Sequence, residues 1–189
     1  MDIGMIILIF VGLIILALIV MLVIIYNSFI RMQNNIDKSW ANIDVLLKQR
    51  SNEIPNLVNV VKGYMGHEKE TLESLTKARS FLGKAETLSK KAAADEIISG
   101  LVKNLFAVAE KYPDLKAVEN FLALQKRITG LENELADRRE FFNDNVTIYN
   151  TRIQSIPDLI LAKMMHLNKK ELFEASEKDK RYIQVNLKS

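Results

Sequence analysis

The sequence predicts an all-α protein: an N-terminal single transmembrane helix that continues into an elongated antiparallel helical bundle. Three observations lead there. Residues 3–25 are apolar without one charged side chain. Beyond them, apolar residues recur at spacings of three and four, the period of a helix with one buried stripe, and no strand-like alternation appears. Only 7 Gly and 3 Pro punctuate 189 residues, too few for a turn-rich β fold. The expected organisation is an anchor over residues 1–26 and a cytoplasmic helical bundle over 27–189.

The anchor comes first. At 1.5 Å per residue the run from Ile3 to Ile25 is about 35 Å long, enough to cross a hydrocarbon core of about 30 Å. A cleaved signal peptide would carry a basic start, a shorter apolar stretch and a small-residue cleavage site. Here Met1-Asp2 precedes the run and Tyr26-Asn27 follows it, which favours a retained span. No Lys or Arg precedes it, whereas Arg31, Lys38, Lys48 and Arg50 follow. The positive-inside rule then puts the short N-terminus outside and the C-terminal domain in the cytoplasm of a single-pass cell-membrane protein.

The helices follow in order. Ile36, Trp40, Ile43, Leu47, Ile54, Val58, Val61, Met65, Leu72 and Leu75 keep one heptad phase, which predicts a single long coiled-coil-like helix from Tyr26 to Ser80. Pro55 removes a backbone donor inside it, so the alternatives are a kinked continuous helix and a reversal. Phe81–Lys84, with Gly83, reads as a break. A second helix is expected over Ala85–Glu110, apolar at Leu88, Ala92, Ile97, Leu101, Leu105 and Val108. Tyr112-Pro113-Asp114 is a turn with Pro suited to a first helical turn. A third helix follows to about Ile153, with Phe121, Leu124, Ile128, Leu131, Leu135, Phe142 and Tyr149 inward. Pro157 stops it, a short amphipathic stretch covers Leu159–Leu167, and a last helix is expected around Lys170–Arg181.

Composition narrows the chemistry. A formal charge of +3, with acids and bases interleaved, gives no basic face for nucleic acid. The absence of cysteine excludes disulfides, thiol catalysis and cysteine-held metals. His67-Glu68-Lys69-Glu70 lacks the second histidine of a helical zinc motif, because position 71 is Thr; His166 is the only other histidine. No serine sits in a glycine-flanked elbow, and the glycines are too scattered for a phosphate loop. No catalytic residue, metal ligand or cofactor is therefore expected, and the chain is not expected to be an enzyme.

The blocks IDKSWANIDVLLKQRSNEIPNLVNVVKGYMGHEKETLESLTKARS, AEKYPDLKAVENFLALQ and FFNDNVTIYNTRIQSIP, in that order, closely resemble LemA-family proteins. The resemblance runs from the anchor to Phe173-Glu174-Ala175. It implies the architecture already read: a short outer N-terminus, one span and a cytoplasmic helical bundle. It implies no enzymatic activity. The family's Phe-Tyr-Asn-Asp segment reads Phe141-Phe142-Asn143-Asp144 here, and Lys163, Met164, Met165 and His166 replace a glycine-punctuated apolar stretch.

Two groups of residues remain as candidate sites. Arg50, Glu68 and Arg79 on the first seam, with Arg138 and Arg152 on the third helix, occupy positions where apolar residues are expected. They read as a register-setting ion pair, as a ligand-facing polar cleft around Glu68 and Arg138, or as stems lying along the seam with wet heads. Asn56, Asn143 and Asn150 could cap, bridge helices or contact a partner. If the first helix ran unbroken to Ser80, the seam of Ile36, Trp40, Ile43 and Leu47 would lack cover from its own chain and would pack against neighbouring copies. The expected partners are the lipid bilayer, further copies of the chain and other membrane proteins. The expected role is a membrane-anchored scaffold or adaptor; the alternative is a small-ligand or envelope-state sensor.

Overall fold

The computed structural model describes residues 2–65 and 68–188. They form seven helices: α1 (Ile3–Lys62), α2 (Lys69–Lys84), α3 (Leu88–Ala109), α4 (Pro113–Lys116), α5 (Glu119–Arg152), α6 (Asp158–Met164) and α7 (Glu177–Lys188). No strand occurs among the described residues. The all-helical class read from the sequence is what is observed. One helix, α1, is long and apolar enough to cross a membrane, and its apolar stretch is exposed throughout residues 3–24.

α1 runs through Pro55 without interruption, so the chain does not reverse there. Nor does the helix reach Ser80. It ends at Lys62, and Gly63-Tyr64 turn the chain before α2 begins at Lys69. Met65, Leu72 and Leu75 are buried as their spacing suggested, but on a turn and a separate helix. A turn of matching length preserved the heptad phase, which is why periodicity alone joined the two helices. The next break also moves: α2 continues through Gly83 to Lys84, and Thr87 accepts a hydrogen bond from the Lys90 amide (3.3 Å) to cap α3.

On α3 the buried face is Ala92, Ala93, Ala94, Asp95, Ile98, Val102, Leu105 and Ala109. The apolar spacing in the sequence points instead to Ile97, Leu101 and Val108, one position away. Doublets such as Ile97-Ile98 and Leu101-Val102 fit either phase, so apolarity could not choose. On α5 the inner face starts at Phe121, Ile128, Leu131 and Leu135, then moves to Phe142, Val146 and Tyr149, and Ile153 just past its end is buried too. A straight helix of 3.6 residues per turn drifts about 20° per heptad against a 3.5 repeat, and that drift brings Arg139 inward instead of Arg138.

By its internal packing the chain divides into two compact units. The first is Met1–Lys38 with Asp144–Lys170; the second is Ser39–Asn143 with Glu171–Ser189. The first unit buries Ile25, Phe29, Ile36, Val146, Tyr149, Ile153 and Ala162. Phe29 and Tyr149 meet edge-on, their ring centroids 6.5 Å apart. α6 closes with His166 in the left-handed region (φ 52°). The Leu167 amide donates to Ala162 O (3.0 Å) and the His166 amide to Lys163 O (3.1 Å), the paired bonds of a Schellman cap.

The second unit is built around the latter part of α1. α3 packs against α2 and α7. Trp40 is half-buried against Phe142 (6.1 Å between centroids) and Phe173 (5.9 Å), with Lys91 Nζ 5.0 Å from its ring. Ile43 and Leu47 are buried, as is Ile36 in the first unit. The seam expected to lie open for other copies is therefore covered within the protomer. The open seam followed from a first helix reaching Ser80; with α1 ending at Lys62, α5 and the Phe173 segment supply the cover around Trp40.

Candidate functional site

The chemically distinctive feature of the second unit is a cluster of four charged side chains in its core. α1 contributes Arg50, α3 contributes Asp95, and α5 contributes Glu132 and Arg139. Arg50 and Asp95 have fully buried side chains, and Glu132 and Arg139 are each 28% exposed. Arg50 is directed inward because it continues the stripe of Ile43, Leu47 and Ile54. Asp95 is directed inward because it lies one turn before Ile98, and Ser99 follows it at the next turn.

Arg50 Nη1 donates to Ser99 Oγ (2.9 Å) and to Glu132 Oε2 (2.5 Å). Its Nη2 donates to the Asp95 carbonyl (3.0 Å) and to Asp95 Oδ1. The second oxygen of Asp95 pairs with Arg139, whose guanidinium lies 5.4 Å from the Phe173 ring. Two positive and two negative groups make the cluster neutral. Burial pushes the pKa of Arg50 below that of a free guanidinium, and the Glu132 carboxylate acts the other way. The guanidinium remains charged at neutral pH, since arginine is not deprotonated in proteins.

Around this cluster α1 is fastened on further sides. Arg79 of α2 donates to the Ser51 carbonyl (2.8 Å), and Arg127 of α5 pairs with Glu53. Lys91 of α3 and Lys48 both bind Asp44, at 2.8 and 2.7 Å, and hold its carboxyl below the usual range. At the start of α7, Ser176 caps the helix through the Asp179 amide (3.2 Å), and Asp179 accepts from Ser89 of α3 (2.7 Å).

The residues grouped from the sequence as one polar seam do not form one cleft. Arg50 is a core residue rather than a stem with a wet head. Arg138 is exposed and lies 3.6 Å from Glu134 on its own helix. Glu68 sits half-buried in the connection before α2. Arg152 belongs to the first unit, where it pairs with Asp158 and donates to Ser28 Oγ (2.5 Å). Asn150 binds Lys170 through both its amide groups, Nδ2 to the carbonyl and Oδ1 from the amide, each at 2.9 Å. Asn143 accepts from the Phe173 amide (2.8 Å), so both asparagines hold the segment before α7. Asn56 lies 3.4 Å from Glu53. His67 falls outside the described residues. Among the described residues no three His, Asp or Glu side chains converge as metal ligands would.

Sequence reasoning missed Asp95, Glu132 and Arg139. Asp95 had a signal: stepping back from Ala109 through Leu105, Val102 and Ile98 by three and four residues arrives at it. A second concavity lies between the end of α1 and α2, a groove of about 590 Å³ with Val58, Met65 and Leu72 on its floor and Lys62 and Lys69 at its rim.

The sequence profile of the LemA family matches residues 39–187, a stretch that contains every member of the charged cluster and begins after the apolar run. Protein LemA of Metamycoplasma hominis is 29% identical over 156 residues, covering 80% of this chain and 69% of that protein. Magnetosome protein MamQ 2 of Paramagnetospirillum magneticum is 23% identical over 184 residues, covering 84% of this chain and 68% of the relative. Magnetosome protein MamQ of Magnetospirillum gryphiswaldense is also 23% identical over 184 residues, covering 83% and 67%. With its profile matched over residues 39–187, most of its length, the chain belongs to the LemA family.

Proposed function

We propose that this protein is a membrane-anchored, non-catalytic scaffold: an antiparallel helical bundle held at the cytoplasmic face by one transmembrane segment, acting through helix–helix contacts with itself or with other membrane proteins. The observation that carries this reading is the continuity of α1. One helix begins as an exposed apolar stretch of membrane-spanning length and ends as the central core helix of a bundle fastened by Arg50. An exposed apolar surface of that length is stable in lipid and costly in water.

Contacts by the bundle would draw on its exposed apolar side chains, among them Val45, Leu122 and Phe141. A photo-crosslinking residue placed at each in turn, in native membranes, should give discrete adducts with the same chain or with particular membrane proteins. Adducts to lipid alone, or a smear matching total protein abundance, would count against a scaffold. A non-catalytic role also expects His67→Ala and His166→Ala, singly or together, to leave the cellular phenotype intact; its loss in a folded, inserted double variant would restore an enzymatic reading.

The groove between α1 and α2 favours one further reading, a small-ligand sensor. Its apolar floor and lysine rim suit an amphiphile with an anionic head. Binding there would raise the unfolding temperature of the full chain in nanodiscs, and Leu72→Glu would abolish that shift. Across a panel of anionic amphiphiles, a uniform lack of response would remove the sensor reading.

A further inference from the structure

α6 is built the wrong way round for a helix that faces water. Its small and acidic residues point in, with Ala162 2% and Asp158 8% exposed. Two of its large apolar residues point out, Ile160 61% and Met164 70% exposed, while Leu159 and Leu161 are half-buried; Ile156 in the preceding turn is 81% exposed. Ile160 and Met164 lie one turn apart on the same side of α6, and Ile156 is exposed in the turn that leads into it. A contiguous exposed apolar surface of this kind marks an interface rather than a solvated face.

We infer that Ile156, Ile160 and Met164 form a lipid-binding foot that rests in the headgroup layer of the bilayer entered by α1. The inference rests on the proposal that residues 3–25 span that bilayer. Contacts within the first unit set the depth. Tyr149 meets Phe29 and Arg152 meets Ser28, so contacts step toward the apolar run as α5 ends. Arg152 bonds Ser28 and Asp158 together, which puts the first residue of α6 within one guanidinium of Ser28. Ser28 lies three residues beyond Ile25, roughly 4.5 Å along the helix. The polar layer on each side of a bilayer is roughly 5–8 Å thick. The start of α6 therefore falls inside that layer.

Two observations fix the excursion there. Asn150 binds Lys170, so the chain that leaves α5 at Arg152 returns to the same level after α6. Ile25, the last residue of the apolar run, is only 5% exposed although Ile24 and Tyr26 on either side are open. Protein thus covers one face of α1 down to the edge of the apolar run. Charge agrees with a lipid surface. Lys163, Lys169 and Lys170 are exposed on this segment, while its acid, Asp158, is neutralised by Arg152. Apolar side chains flanked by lysines suit the boundary between acyl chains and anionic headgroups.

The absence of cysteine allows a direct test on the full-length chain. Leu13→Cys, Ile160→Cys and Lys90→Cys are each labelled with a nitrobenzoxadiazole fluorophore and reconstituted into phosphatidylcholine–phosphatidylglycerol vesicles. Spin-labelled lipids then quench at the headgroup or in the acyl core. The expected result is core quenching at position 13, several-fold headgroup quenching at 160, and neither at 90. Quenching at 13 with position 160 behaving like 90 would overturn the foot and leave the anchor standing. No quenching at 13 would overturn the anchor itself, and the foot with it. A second copy covering the face would give blue-shifted emission at 160 that lipid quenchers do not reach and that fades on dilution into empty vesicles; that too would overturn it. Met164→Cys repeats the measurement should the Ile160 variant fold poorly.

Discussion

Arg50 of α1 and Asp95 of α3, 45 residues apart in sequence, form an ion pair in which both side chains are fully buried. Removing one partner of such a pair leaves the other charged and unpaired in the core, at a cost of about 3–5 kcal/mol, whereas exchanging both for apolar residues is close to neutral. Arg50→Met should therefore destabilise the protein by about that amount in urea unfolding of the full chain in micelles. Arg50→Met with Asp95→Leu should recover most of the loss. Glu132→Gln should cost less than Arg50→Met, because water reaches Glu132. An Arg50→Met variant as stable as the parent would mean that the cluster contributes nothing to the bundle.

Trp40 is the only tryptophan, so its fluorescence reports on one place. Packed by Phe142 and Phe173 within the second unit, its emission should not change on dilution. Phe173→Ala should shift it to the red. A spectrum that reddens on dilution of the unmutated chain would show that neighbouring copies, rather than this chain, dry the seam.

His166 holds a left-handed conformation at the end of α6. For a residue with a Cβ this costs roughly 1–2 kcal/mol, a penalty glycine does not carry. His166→Gly should raise stability, by up to about 1 kcal/mol after the lost chain entropy is counted. His166→Val should lower it. Thermal unfolding of the three proteins provides the comparison, and a glycine variant less stable than the parent would assign His166 a contact beyond its backbone.

Asp44 is held below its ordinary 3.8 by hydrogen bonds from Lys48 and Lys91. A carboxyl depressed on folding adds stability above its unfolded pKa and loses it as pH falls through the folded one. Unfolding temperature should therefore fall as pH drops below about 4. Asp44→Asn should make that fall shallower while lowering stability slightly at pH 7. An unchanged acid limb in the variant would show that its two lysines contribute no pH-dependent stability.

Much of this was legible in the sequence because it depends on apolar period. The apolar run, the third helix, Pro113 at a helix start and the stop before α6 all follow from local spacing and turn chemistry. The errors came where period is degenerate. A turn at Gly63-Tyr64 keeps the heptad phase, so α1 and α2 read as one helix, and an exposed seam at Trp40 follows only from that combined length. The Ile97-Ile98 and Leu101-Val102 doublets hid the true face of α3 and, with it, Asp95. Arg50 was visible as an arginine on an apolar stripe, but only its partners distinguish a buried pair from a wet head. Those partners lie 45 and 82 residues away. A strict heptad points to Arg138, but helical drift accumulates along α5 and turns Arg139 inward instead.

The proposed anchor would leave the bundle on the cytoplasmic face, and cysteine accessibility in intact cells tests this most directly. Asp2→Cys and Lys90→Cys are both exposed positions in a chain that otherwise has no thiol. With a membrane-impermeant thiol reagent, position 2 should label in intact cells and position 90 only after lysis. Labelling at 90 but not at 2 before lysis would reverse the topology, and equal labelling of both before lysis would contradict a membrane-spanning anchor.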